Sequence, residues 1–276
     1  MNNEILVIGD SCVDRFVYGR SERLCPDIPV PVFIPENTEE NMGMAGNVYN
    51  NLVSLGHSTC RLVLPDESTS RTIVKERYVD KQTNYTFLRV DRNDRVNPVS
   101  FIGSYLNRKV LPSYEAIVIV DYGKGFLDES AIEHICGLNE NVFLDTKKIL
   151  GKFCRKAKFI KINESEFKAM QGDTVFSSNM PYWTNKLIVT LGERGCMYDN
   201  EFYPTKKVEV YDLSGAGDTF QAALVSNFLK TKKIEEAIEY ANNCASKVVQ
   251  RKGVALIKNL EEDHIGTKYR YHEDNE

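Results

Sequence analysis

Asp212-Leu213-Ser214-Gly215-Ala216-Gly217-Asp218-Thr219-Phe220 is the stretch on which the fold turns. Its small residues allow a tight backbone turn. Phe220, Ala223, Leu224 and Phe228 then recur at helical spacing and predict an amphipathic helix over 218–229. At such a helix start the backbone N–H groups of residues 215–218 face one concavity, with the positive end of the helix dipole behind them. The result is an anion hole suited to the charge that develops on a transferring phosphoryl group. Asp218 stands where an accepting hydroxyl must lose its proton, and a carboxylate positioned in this way contributes about 10²–10⁴ in rate. Taken alone, the stretch also reads as a tight helix entry with an acid in its first turn. The rest of the chain has to decide between the two.

Working outward, short apolar runs end in glycine or a polar residue. Residues 5–8 lead into Gly9-Asp10, 116–120 into Asp121, 142–144 into Asp145, 159–162 (interrupted by Lys161) into Asn163, and 187–191 into Gly192. Continuous rather than alternating apolar residues predict strands buried on both faces, as in a parallel sheet. The polar residues just past them lie at the carboxyl edge, where open α/β sheets bind ligands. Helical stripes fall between and after the strands, over 47–55 and 234–249 as well as 218–229. The alternation predicts a doubly wound, mostly parallel α/β fold with helices on both faces. Two segments break the pattern, a proline-rich extended stretch near 27–34 and a β-branched, aromatic and charged stretch over 72–90. They are expected to form a small β lid from segments at about 12–35 and 72–92, inserted into one domain over 1–260, with a polar tail over 261–276.

The chain has 276 residues and a net charge of -4, with no long basic run, which argues against a nucleic-acid partner. No apolar run approaches the roughly 20 residues of a membrane span, and the N-terminus lacks the basic start and apolar core of a signal peptide. Seven widely spaced cysteines without a C-x-x-C pair speak against a zinc site or a disulfide framework and fit a reducing cytoplasmic setting.

At this point the chain resembles a known family. Residues 212–220 are similar to the second signature of the ribokinase-like, PfkB-type carbohydrate kinases, and the similarity runs co-linearly over most of residues 4–258. Gly9-Asp10-Ser11-Cys12-Val13-Asp14-Arg15, Tyr18-Gly19, Pro29-Val30-Pro31-Val32, Thr72-Ile73-Val74-Lys75-Glu76-Arg77, Leu88-Arg89-Val90-Asp91 and Asp121-Tyr122-Gly123-Lys124-Gly125 look like the subfamily that phosphorylates D-glycero-D-manno-heptose 7-phosphate at its 1-position. The resemblance implies an ATP- and magnesium-dependent kinase with Asp218 as base and Gly215, Ala216 and Gly217 as the anion hole. It implies sugar contacts at Asp14, Gly43 and Asn47, and a phosphate clamp from Lys75, Arg77, Arg89 and Lys124. Asn163 falls beside the nucleotide phosphates, Glu166 at the hydration shell of Mg²⁺, Thr190, Gly192 and Gly195 along the nucleotide, and Asn242 near the adenine. Asp212 falls in the loop where many relatives hold a monovalent cation such as K⁺. Plainer readings stay open: Asn163 and Asp14 as helix caps, Glu166 and Asn242 as solvated helix residues, the four cations as solvated strand charges.

The pattern is broken twice. Met44 stands in Gly43-Met44-Ala45-Gly46-Asn47 where a second glycine is expected, and its side chain is expected to narrow the sugar pocket. After Gly56, residues 57–66 lead almost directly into the second lid segment, so a piece of sheet edge is expected to be missing. Past residue 258 the nucleotidyltransferase domain that some heptose kinases carry is not expected. The expected function is phosphoryl transfer to a sugar phosphate. The alternatives are a kinase of a free hexose, pentose or nucleoside, and a non-catalytic sugar- or nucleotide-binding regulator. A homodimer through the lid strands is also expected.

Overall fold

A computed structural model describes residues 4–66, 68, 70–99 and 106–257. The expected tail over 261–276 lies outside the described residues. Among the described residues twelve strands and six α-helices follow in order: β1 (Ile5–Gly9), β2 (Ser11–Arg20), β3 (Ile34–Met44), α1 (Ala45–Ser54), β4 (Arg61–Val63), β5 (Ile73–Asp80), β6 (Thr86–Arg92), β7 (Ala116–Asp121), α2 (Glu129–Leu138), β8 (Val142–Thr146), β9 (Phe159–Asn163), α3 (Glu164–Met170), α4 (Thr174–Asn179), β10 (Leu187–Thr190), β11 (Gly195–Tyr198), β12 (Glu201–Pro204), α5 (Ala216–Thr231) and α6 (Ile234–Val248). The main sheet has the order β12-β11-β10-β9-β8-β7-β1-β4. Its strands are parallel from β10 across to β4, and β11 and β12 add an antiparallel edge.

The five continuous apolar runs become β1, β7, β8, β9 and β10, and period-2 alternation sends their side chains to two separate cores. Val7, Val118, Phe143 and Phe159 pack under α1, α5 and α6. Ile8, Ile119, Leu144 and Ile160 pack under α2, α3 and α4. Lys161 and Asp145 share the parity of Phe159 and Phe143, so both point to the face covered by α5, at its N-terminal end.

A second sheet, of order β3-β2-β5-β6, forms the lid. Its first segment extends further than expected. β3 runs on to Met44, whereas 24–33 holds only an isolated bridge between Leu24 and Pro31. Prolines keep that stretch out of a ladder. β3 escaped detection because its residues 34–40 are exposed, so no apolar alternation marks it. The main sheet stops at β4, a strand of three residues, before the chain crosses to the lid.

Met44 does not narrow a sugar pocket by its side chain. That side chain is buried in the core cluster with Val7, Cys12 and Val48. The departure lies in the backbone: Met44 sits at φ 56°, ψ -127°, a conformation that glycine tolerates and other residues rarely adopt.

Candidate active site

The turn at residues 212–215 delivers the start of α5 to the carboxyl edge of the sheet. Gly215 takes φ 79° as the N-cap, and a β-carbon there would come within 2.6 Å of the Asn47 amide nitrogen, so only glycine fits. Asp212 holds the turn by accepting from Ser214 N–H (2.8 Å) and from Gly253 N–H (3.1 Å), which ties it to the C-terminal loop. The amide of Ala216 turns back to the Leu213 carbonyl at 3.3 Å. The amides of Gly217 and Asp218 lie in the first turn, where helix geometry offers no internal acceptor.

Asp218 is buried and held on both oxygens. Asn47 Nδ2 donates to Oδ2 at 3.1 Å, and the Tyr122 hydroxyl donates to Oδ1 at 2.9 Å. Burial pushes its pKa up to about 6, with Asn47, Lys161 and Tyr122 pulling against burial and Asp145 adding to it. A carboxylate near that value is a competent base close to neutral pH. Asn47 is fixed in turn by Asn51, whose side-chain amide donates to the Asn47 carbonyl (2.9 Å) and Oδ1 (3.0 Å). Both asparagines stand one helical turn apart on the buried side of α1.

Beneath the start of α5 lies a buried ion pair that sequence reasoning missed. Lys161 Nζ donates to Asp145 Oδ2 at 2.5 Å and to the Gly217 carbonyl at 3.3 Å. Burial opposes the charge on Lys161, but Asp145 and Asp218 outweigh it and raise its pKa, so it stays protonated. The signal was present: a lysine interrupting an apolar run falls at register with Asp145 on the face that carries α5.

Asp10 and Tyr122 were also passed over. The Asp10 carboxylate is buried and accepts from the backbone N–H groups of Tyr122 (2.9 Å), Lys124 (3.0 Å) and Phe126 (3.4 Å), fixing the loop after β7.

On the lid side, Asp14 is buried and accepts from Arg77 at 2.6 Å. A β-carbon on Gly43 would meet Asp14 Oδ2 at 2.1 Å and Cys12 Sγ at 2.6 Å, so the backbone of β3 presses close here. Three of the four clamp candidates already have carboxylate partners: Arg77 with Asp14, Arg89 with Asp91 (2.7 Å) and Lys124 with Asp94 (2.5 Å). Lys75 has no carboxylate partner among the described residues and lies over the Tyr122 ring, 5.2 Å from its centroid.

Asn163 caps α3 in a reciprocal capping box, accepting from Glu166 N–H and donating its own N–H to Glu166 Oε2, each at 2.8 Å. Lys147 occupies Glu166 Oε1 at 2.6 Å. No cluster of three or more metal-ligating side chains occurs among the described residues.

Thr190, Gly192, Gly195 and Asn242 all line one cleft of about 150 Å³, together with Ala216 and Gly217. Its remaining wall is largely apolar, from Val208, Val210, Leu213 and Phe220 among others. The Asn242 amide nitrogen donates to the Tyr203 carbonyl at 3.0 Å and anchors β12 on α6. A larger, open depression of about 1160 Å³ at the opposite edge of the sheet, beside Glu115, Asn139 and Lys232, contains none of these residues.

The fold matches solved ribokinase-like structures along nearly its whole length. The ribokinase of Thermotoga maritima superposes with a TM-score of 0.67 at 18% identity, covering 95% of this chain and 99% of its own. The Arabidopsis thaliana ribokinase complexed with ribose and ATP gives 0.66 at 15%, covering 95% and 98%. In sequence, residues 131–260 match the family model described as pfkB family carbohydrate kinase. Residues 131–260 are thus similar to the pfkB carbohydrate kinases, and the chain has a ribokinase-like fold. Among curated relatives, the bifunctional protein HldE of Nitratiruptor sp. is 30% identical over 92% of this chain, and that of Vibrio vulnificus strain CMCP6 is 31% identical over 94%. The chain spans 63% of the length of each. No helix among the described residues is long and apolar enough to cross a membrane.

Proposed function

We propose that the chain transfers the γ-phosphoryl group of ATP to a hydroxyl of a sugar that already carries a phosphate, with D-glycero-D-manno-heptose 7-phosphate, at its 1-position, as the leading acceptor. One observation carries the reaction class: a buried, doubly held carboxylate, Asp218, follows directly on a helix start that also lines an apolar cleft. Asp218 takes the proton of the accepting hydroxyl as that oxygen attacks phosphorus. The first-turn amides of α5 and the charge of Lys161 below them stabilise the transferring group. The cleft beside Thr190, Gly192 and Gly195 takes the nucleotide. Mg²⁺ arriving with the phosphates would keep most of its water, and Glu166 has lone pairs left to hold that shell after its bonds to Asn163 and Lys147. The Asp212 turn is the corresponding place for a monovalent cation.

The heptose phosphate reading is supported by the resemblance of the segments around Asp14, Lys75, Arg89 and Lys124 and by the HldE relatives. One observation favours a second reading, an unphosphorylated sugar. Arg77, Arg89 and Lys124 are already neutralised by carboxylates, which leaves Lys75 as the clamp cation without such a partner among the described residues. A dimer through the lid is part of the proposal, supported by the exposed Leu24, Tyr85 and Leu88. Sedimentation that gives a monomer at all concentrations would remove it. A cytoplasmic setting fits seven cysteines without a disulfide.

The deciding experiment is magnesium-dependent ATP consumption against a panel of free and phosphorylated sugars that includes heptose 7-phosphate, with Asp218→Asn as control. Turnover on a phosphorylated sugar, abolished in the control, is the expected result. Turnover confined to free sugars would move the assignment to the second reading.

A further inference from the structure

Tyr122 is tied at every end. Its backbone N–H is held by Asp10 at 2.9 Å, and the next amide, Gly123, by Asp121 at 3.0 Å. Its hydroxyl reaches the base, and its ring carries Lys75 Nζ from the lid at 5.2 Å and Lys147 Nζ from the loop after β8 at 4.7 Å. We propose that Tyr122 is a positioning residue, whose hydroxyl orients the Asp218 carboxylate and whose ring seats the lid lysine Lys75 beside that base. The proposal rests on the phosphoryl-transfer reading.

The chemistry follows from lone pairs. An ionised carboxylate offers about four acceptor sites. Asn47 and Tyr122 each fill one, on different oxygens, and a carboxylate held at both oxygens cannot rotate. The sites left over face the acceptor. Neither donor competes for the incoming proton, since an amide does not take one and burial beside Asp218 keeps the Tyr122 hydroxyl protonated. The titratable groups facing Asp218 are Tyr122 from the loop after β7, Lys161 from β9, Asp145 from β8 and Cys12 from β2. Of these, Lys161 and Tyr122 favour the ionised base. Loss of the phenol hydroxyl therefore makes Asp218 harder to ionise and lets it turn.

The test compares Tyr122→Phe, which keeps the ring, with Tyr122→Leu, which removes it. In Tyr122→Phe, kcat at neutral pH should fall about tenfold, less than the roughly hundredfold that a 1 Å misplacement of a reacting group can cost. The KM of the acceptor should stay near wild type, and the acidic limb of kcat should move to higher pH. Tyr122→Leu should in addition raise the KM of the acceptor, because Lys75 loses its seat. A pH profile of Tyr122→Phe that overlays the wild type overturns the proposal. The Asp218 carboxyl titration, followed by ¹³C resonance and assigned with Asp218→Asn, gives a readout independent of turnover. Should no sugar be phosphorylated and the titration still move upward in Tyr122→Phe, the positioning role stands while the kinase reading falls. An unmoved titration sinks the positioning role even in an active kinase.

Discussion

The two halves of the site are built by different means. On the side proposed for the acceptor, side chains are buried and fixed by one another: Asp218 by Asn47 and Tyr122, Asn47 by Asn51, and Asp14 by Arg77. On the side proposed for the nucleotide the wall is largely backbone and apolar surface, with glycines at 192 and 195 and valines at 208 and 210. The start of α5 divides them, since Gly217 lines the cleft and Asp218, the next residue, turns to Asn47 and Tyr122 on the other side. Chemistry that depends on the direction of one lone pair calls for a locked carboxylate. Holding a flat base and a phosphate chain needs room, backbone amides and apolar contact, and tolerates less rigid side chains.

If the halves are separate, damage to one should spare the other. The largest effect is expected from Asp218→Asn. Turnover should drop by about 10³-fold or more, within the range a positioned base supplies. The affinity for an ATP analogue, measured by calorimetry, should change less than about twofold. Comparable loss of nucleotide binding would show one continuous site. In the wild type, kcat should decline as pH falls through about 6. The sign follows from the proposed role: a base works ionised, burial raises the pKa of Asp218, and so activity should be lost on the acid side earlier than for an ordinary carboxylate.

The ion pair of Lys161 with Asp145 sits under the divide and tests whether the shared floor is structural. Lys161→Met leaves Asp145 buried without its partner and should lower stability by roughly 3–5 kcal/mol in chemical denaturation. Lys161→Met with Asp145→Leu should recover much of that loss, because two apolar side chains avoid the stranded charge. Activity should not recover, since the charge below the proposed anion hole is gone. Recovery of both would reduce the pair to packing.

Much of this was legible in the sequence, and the reasons differ residue by residue. Runs such as 5–8 and 116–120 announce a parallel sheet because burial on both faces leaves no polar positions. Asp218 is visible because a glycine-rich turn and a strong helical stripe meet there. Lys161 was passed over as an interruption, since a run of strand residues does not say which face will lie beneath a helix start. Asp10 and Tyr122 act through contacts made across 112 and 96 residues of chain, which no local spacing reveals. The capping box of Asn163 and Glu166 shows Asn163 in its plainer role as a helix cap, and its place beside the nucleotide phosphates stays a proposal.

Gly43 offers a smaller and more selective break on the acceptor side. A methyl group there meets Asp14 Oδ2 at 2.1 Å, and Asp14 cannot yield freely because Arg77 holds its other oxygen. Gly43→Ala should raise the KM of the sugar by about tenfold, near 1.4 kcal/mol, with the KM of ATP within about twofold. Equal changes in both would contradict the division of the site.

The smallest expected effect comes from Met44, where two ordinary rules oppose each other. The residue joins β3 to α1 at φ 56°, ψ -127°, and its side chain is buried in the core. Any truncation forfeits that burial, so comparison with wild type mixes packing and strain. Met44→Gly and Met44→Ala forfeit nearly the same side chain and differ chiefly in the backbone. Elsewhere in a helix or strand alanine is favoured over glycine by roughly 0.5–1 kcal/mol. Here the order should invert, with glycine more stable by about 1 kcal/mol, because only glycine occupies this region without strain. Denaturation midpoints of the two variants measure the difference directly. Alanine at or above glycine would mean that Met44 sits in a relaxed backbone, and that the acceptor side is locked by its side chains alone.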